Sequence, residues 1–225
     1  MKRALTIKGL TKSYGDRVAL GPLDLTVNAG QYVSLVGANG SGKTTLLRLI
    51  TGLVDSSEGD ISIGDFEVAT LDARAAVSYI PDDPVLYDDL SVDEHIEYLG
   101  PLYGATDWQE RGEQLLETFG LTQRRSDLPS GFSRGLRQKT SLVLGLLRPF
   151  EVLLVDEPFV GLDEPGRKAL VAQLDAAKAG GATILLASHQ LDLVKKADRL
   201  IALAEGQVTY DGKPQTADLD KLIGG

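Results

Sequence analysis

The run Gly37-Ala-Asn-Gly-Ser-Gly-Lys-Thr44 constrains this chain more than any other feature. It matches G-x-x-x-x-G-K-[ST] and stands where that pattern has physical meaning. The apolar run Tyr32–Val36 precedes it, and Lys43–Thr51, with helical spacing of apolar residues, follows it up to a stop at Gly52. Glycines let a backbone wrap closely around an anion and aim successive N–H groups at it. The start of a helix adds a field that favours negative charge. The segment reads as a phosphate cradle made of Gly37, Ala38, Asn39, Gly40, Ser41, Gly42, Lys43, Thr44 and Thr45. Lys43 is directed at the terminal phosphates of a nucleotide, and the Thr44 hydroxyl at a magnesium ion.

A strand–loop–helix unit of this kind belongs in an α/β sheet, and the chain supplies the remaining strands. Ala4–Ile7, Leu23–Val27, Asp60–Ile63, Val77–Ile80, Val152–Val155, Thr183–Ala187 and Leu200–Leu203 read as strands, and Gly166–Lys178 and Leu191–Lys196 as helices. Their alternation predicts a largely parallel sheet. Between about Ser91 and Leu147 the character changes. Ser91 and Glu94 have capping-box spacing, and His95–Leu102, Trp108–Phe119 and Ser133–Leu147 are helical in period, so the stretch reads as a helical insertion. His95 has no ligand-like neighbours in sequence and receives no role.

A second chemical feature is the buried-strand run Val152-Leu-Leu-Val-Asp156-Glu157. Behind a phosphate cradle, such an Asp holds Mg²⁺, often through water, and an adjacent Glu can polarise the attacking water. Composition narrows the rest. There is no cysteine, which removes disulfides, thiolate metal sites and cysteine nucleophiles. The 32 acidic against 23 basic residues give a net charge of -9, a poor match for duplex nucleic acid, so no nucleic-acid partner is expected. No apolar run approaches the ~18 residues of a membrane span, and no signal peptide is visible, so a soluble chain is expected.

Further motifs narrow the class. Ser130–Lys139 reads SGFSRGLRQK, with Phe132-Ser133-Arg134-Gly135-Leu136 at the five positions of the signature of the ATP-binding cassette (ABC) family, usually written LSGGQ. Phe159-Val160-Gly161-Leu162-Asp163 resembles that family's D-loop, Ser188-His189 its switch histidine, and Tyr14 in Lys12-Ser-Tyr-Gly15 the aromatic that stacks on adenine. Together these cover nearly the whole chain. The resemblance implies a P-loop NTPase core with a mostly parallel sheet, an N-terminal antiparallel β subdomain and an inserted α-helical subdomain. Residues 1–225 would form one ABC ATPase domain, with the nucleotide-binding core in 1–80 and 150–225 and the helical part in about 82–148.

The same resemblance implies ATP and Mg²⁺ as cofactors, with Glu157 and His189 catalytic and Thr44 and Asp156 at the metal. Ser133 and the Gly135 amide would contact the γ-phosphate bound to a second cassette, identical or paralogous, and Asp163 would lie at that dimer contact. Asp82 departs from the family pattern, in which Gln follows Pro81. It reads either as a metal ligand or, with Asp83, as part of a solvated turn. Arg134 and Leu136 depart from the plain signature. An acidic residue at 82 with a basic residue at 134 resembles cassettes of ABC-2-type exporters.

That likeness implies a motor at the cytoplasmic face of a membrane, exporting a substrate through a separate membrane-spanning partner. The partner would dock around Asp82 to Phe119, where Val85, Leu86, Tyr87, Tyr98 and Tyr103 are apolar or aromatic. A soluble ATPase of another system, such as cluster assembly, is the alternative. A regulator without turnover is disfavoured because Glu157 is retained.

Overall fold

The computed structural model describes residues 2–104 and 106–223. A long hairpin of β1 (Arg3–Tyr14) and β2 (Arg17–Asn28) opens the chain. Next come β3 (Tyr32–Val36), α1 (Lys43–Ile50), β4 (Glu58–Ile63), β5 (Phe66–Glu67), α2 (Leu71–Ala76) and β6 (Val77–Ile80). Three longer helices follow: α3 (Val92–Leu102), α4 (Trp108–Phe119) and α5 (Arg134–Leu147). The chain then returns through β7 (Val152–Asp156), α6 (Glu164–Ala179), β8 (Thr183–Ala187), α7 (Leu191–Lys196), β9 (Arg199–Ala204), β10 (Gln207–Gly212) and α8 (Leu219–Ile223).

The strands form an antiparallel sheet, β2-β1-β4-β5, and a mixed, mostly parallel sheet, β10-β9-β3-β8-β7-β6. In the second sheet β9, β3, β8, β7 and β6 run parallel and only β10 is antiparallel. Every residue of β3, β7 and β8 is buried, the pattern of strands covered on both faces. This order decides where the chemistry gathers. Parallel strands end at one edge, so the loop after β3, the carboxylates ending β7 and the Ser188-His189 step after β8 emerge side by side.

Two large apolar clusters flank the parallel sheet. One joins the β1–β2 hairpin, α1 and residues such as Leu35, Leu154 and Leu185. The other joins α3, α4, α5 and α6 to Ile80, Leu153, Val155 and Leu186. The helical stretch therefore shares its core with the sheet.

Several elements are longer than the sequence pattern predicts. β1 and β2 run twelve residues each because register shifts along their pairing accommodate polar interruptions that break strict alternation. α3 starts at Val92, where the capping-box spacing of Ser91 and Glu94 places it. The Ser91 hydroxyl accepts from the Glu94 amide at 3.3 Å, and Glu94 Oε2 accepts from the Ser91 amide at 2.7 Å. β5, α2, β10 and α8 are short or polar and were not anticipated. Among the described residues no helix is long and apolar enough to cross a membrane.

Candidate functional site

A cleft of about 810 Å³ opens at the carboxyl edge of the parallel sheet, lined by residues 38–45, Asp82, Asp156 and Glu157. The cradle begins with Gly37 at φ +144°, where a Cβ would lie 2.1 Å from the Leu203 carbonyl oxygen. Only glycine fits there, and the turn it permits brings the loop back over its own strand. Gly42 (φ +107°) caps α1, whose first turn carries no acidic residue to compete for its N–H field. Lys43, 6% exposed, folds back so that Nζ donates to the Gly37 and Ala38 carbonyls at 2.5 and 3.2 Å. Burial lowers its pKa, opposed by the nearby Glu157 and Asp156 carboxylates.

Asp156 is fully buried, and neither of its carboxylate oxygens has a hydrogen-bond partner. Burial raises its pKa, the Thr44 hydroxyl, Lys43 and Arg48 draw it down, and Asp82 pushes it further up. The Thr44 hydroxyl is close enough to act on Asp156 but makes no bond of hydrogen-bond geometry, and a buried carboxylate so poorly satisfied is costly unless something compensates it. Asp156, Thr44 and Asp82 line the same cleft and are hard oxygen donors of the kind Mg²⁺ takes, so their chemistry fits the ion.

Glu157 sits just past β7 in a left-handed conformation, φ +41°, held by its N–H donating to the Ala187 carbonyl at 2.9 Å. Non-glycine residues at positive φ carry strain and concentrate at working sites. Burial, with Asp156 and Asp82 adding and Lys43 opposing, pushes its carboxyl up to about 7. His189 Nε2 lies 3.0 Å from Glu157 Oε1, yet the alignment is not that of a hydrogen bond and Oε1 remains without a donor. Burial and Lys43 lower the His189 pKa. The two groups therefore face each other with their neutral forms favoured.

The remaining expected residues lie elsewhere. Ser133 is exposed and caps α5, its hydroxyl accepting from the Leu136 amide at 3.3 Å. Gly135 packs against the carbonyl of Gly161, to which a Cβ would approach within 2.5 Å. Asp163 caps α6 through the Gly166 amide at 3.0 Å and pairs with Lys139 at 2.9 Å, a contact that lowers its pKa. Tyr14 is 55% exposed at the end of β1, with Lys12 Nζ 5.0 Å above its ring. None of Tyr14, Ser133, Gly135, Asp163 or His189 lines the chain's own cleft. Asp82 does, and it also lies 3.5 Å from Arg134 Nη2, so two of the three residues that depart from the family pattern face each other.

Sequence reasoning missed Arg17, Val18, Ala19, Ala204 and Glu205, which close the cleft's far wall. Arg17 is the hairpin partner of Tyr14, so Tyr14 was the available signal for the first three. Ala204 and Glu205 (φ +50°) lie at the β9–β10 turn, where residue type gives no hint.

Comparison with known proteins agrees with this geometry. Residues 20–160 match the family described as ABC transporter. The ABC-type transporter ATP-binding protein EcsA of Bacillus subtilis (strain 168) is 34% identical over 213 residues, 92% of this chain and 86% of EcsA. The SkfA peptide export ATP-binding protein SkfE of the same organism is 31% identical over 92% of this chain and 88% of its own length. A solved ATP-binding subunit of an ABC transporter superposes with TM-score 0.90 at 33% identity, covering 97% of both chains. The cradle, the paired carboxylates and these likenesses agree: the chain belongs to the ABC transporter family, as an ATP-binding, ATP-hydrolysing subunit.

Proposed function

We propose that the chain binds Mg·ATP in this cleft, hydrolyses it as a dimer, and powers export through a separate membrane-spanning subunit at the cytoplasmic face. The observation that carries the catalytic part is Asp156, buried and unpartnered beside the cradle. Thr44, Asp156 and Asp82 would hold Mg²⁺, which when bound neutralises charge on the phosphates. Cradle amides and Lys43 bind and orient the triphosphate. Glu157 accepts the proton of the attacking water, and His189 steadies the terminal phosphate from the β8 edge. Tyr14 stacks on the base.

Dimerisation is supported by Ser133, Gly135 and Asp163 not being among the residues that line the chain's own cleft. They serve a nucleotide bound to a second cassette. Export is supported by the likeness to SkfE and by the Asp82–Arg134 pair. For the membrane partner, a largely apolar groove of about 560 Å³ lies beside the Asp82 loop, with Tyr79, Leu86, Leu99, Tyr103 and Leu144 in its walls. Leu53, Val85 and Tyr103 of its lining are all exposed, which makes the groove a contiguous apolar surface of the kind that marks interaction sites.

Turnover that rises faster than linearly with protein concentration is the expected signature of the dimer. A cassette that works alone gives a strictly linear dependence. Val85→Asp is expected to abolish co-purification with the membrane subunit while the chain's own turnover stays within about twofold, since an exposed rim residue carries little stability. Retained co-purification refutes docking at this groove.

Asp82→Asn is expected to raise the Mg²⁺ concentration for half-maximal turnover by about tenfold, the equivalent of about 1.4 kcal/mol. It should also tighten metal-free ATP binding by removing a negative charge from the cleft. Unchanged values in both titrations assign Asp82 to Arg134 alone.

A further inference from the structure

Residues 82–90 join β6 to α3 without regular structure, and their ties to neighbouring elements are few. The pairs Arg134–Asp82 and Arg137–Asp88, and the bond from Arg137 Nη2 to the Pro84 carbonyl, each span 3.5 Å. One contact is closer. The backbone N–H of Tyr87 donates to His95 Nε2 at 3.0 Å. His95 stands on α3, is 1% exposed, and its Nδ1 lies 2.8 Å from the Ser91 carbonyl oxygen.

The two partners have fixed roles, because an amide N–H only donates and a carbonyl only accepts. The ring is therefore a neutral imidazole with its proton on Nδ1. The other tautomer would set two donors against each other across 3.0 Å. Aromatic packing reinforces the tie: the Tyr87 ring centroid lies 5.8 Å from that of His95 and 5.8 Å from that of Tyr98, edge-on to the latter.

We propose that His95 is the positioning residue of the 82–90 segment: in its Nδ1–H form it clamps Tyr87 to α3 and thereby sets the outer wall of the apolar groove. The segment ends in Asp82 at the nucleotide cleft and carries Val85 and Leu86 at the groove. Its placement thus links the two surfaces through one imidazole on a helix. The use of the clamp in coupling rests on the docking reading above. The clamp itself is a property of the isolated chain and is tested there.

The experiment is amide hydrogen exchange on the full chain, with nitrogen-15 histidine spectra as a direct readout of the tautomer. In the wild type, His95 is expected to show a protonated Nδ1 and a bare Nε2. In His95→Leu, which has no acceptor, the Tyr87 amide is expected to exchange at least about tenfold faster, while the Leu99 amide further along α3 changes less than about threefold. His95→Gln offers a carbonyl acceptor on a side chain of similar reach and is expected to restore much of the Tyr87 protection.

A protonated Nε2 in the wild type overturns the proposal. So does unchanged Tyr87 exchange in His95→Leu, or equal acceleration of Tyr87 and Leu99, which would mark His95 as a general folding residue. If Val85→Asp leaves partner binding intact while Tyr87 responds as stated, the docking reading falls and the clamp stands.

Discussion

Glu157→Gln is expected to lower turnover by at least about 100-fold while leaving ATP binding in place and making the nucleotide-free protein more stable at alkaline pH. The first part follows from removing a base that stands at the cradle, where general-base catalysis contributes about 10²–10⁴-fold. The second follows from the raised pKa of about 7, against the ordinary value of 4.5. An acid whose folded pKa is raised binds its proton more tightly in the native state. Its contribution to stability is complete below about 4.5 and is lost as pH climbs through about 7.

The difference in pKa corresponds to a loss of up to roughly 3 kcal/mol in wild type at pH 8 relative to pH 4.5. Glutamine has nearly the same shape and does not titrate. Urea melts at pH 5.5 and pH 8 measure the effect: the stability gap between mutant and wild type should widen in the mutant's favour as pH rises. A gap independent of pH would mean that Glu157 is well solvated in the native state.

The parts of this site that were legible in sequence are those in which residue type carries the chemistry. Gly37–Thr44 and Val152–Glu157 are recognisable because a cradle requires glycine and lysine, and a metal requires carboxylate. The buried strands β3, β7 and β8 were legible because both faces are covered, which leaves continuous apolar runs. β10, in which exposed and half-buried residues alternate, lies at the sheet edge, and β5 is two residues long, so neither leaves such a run.

Contacts made by backbone left no trace either. His95 looked idle because its acceptor role is filled by the Tyr87 main-chain N–H, which any residue at 87 other than proline would supply. The pairing of Asp82 with Arg134 joins positions 52 apart, and only the fold brings them together.

Gly135→Ala is expected to destabilise the protein and to suppress turnover, against the ordinary rule for helices. Gly135 is the second residue of α5, where replacing glycine by alanine normally gains up to about 1 kcal/mol. Here an added Cβ would sit 2.5 Å from the Gly161 carbonyl oxygen, and backbone on both sides leaves no flexible side chain to yield. The start of α5 and the Gly161 loop must therefore part by several tenths of an ångström. That displaces Ser133 and Asp163 together, the groups assigned to the neighbouring cassette's nucleotide. Overpacking of this kind costs about 1–3 kcal/mol, or roughly 2–12 °C in Tm for a chain of this size.

Gly131, four residues earlier, supplies the control, because its added Cβ would meet nothing within 4 Å. Gly131→Ala should leave both melting and turnover within error of wild type, although the two glycines look equivalent in the run Ser130-Gly131-Phe132-Ser133-Arg134-Gly135. Thermal melts and ATPase assays on the two variants separate a packing requirement at Gly135 from a simple need for glycine in the loop. If Gly135→Ala melts higher than wild type and turns over normally, the close approach to Gly161 does not hold α5 in its working position.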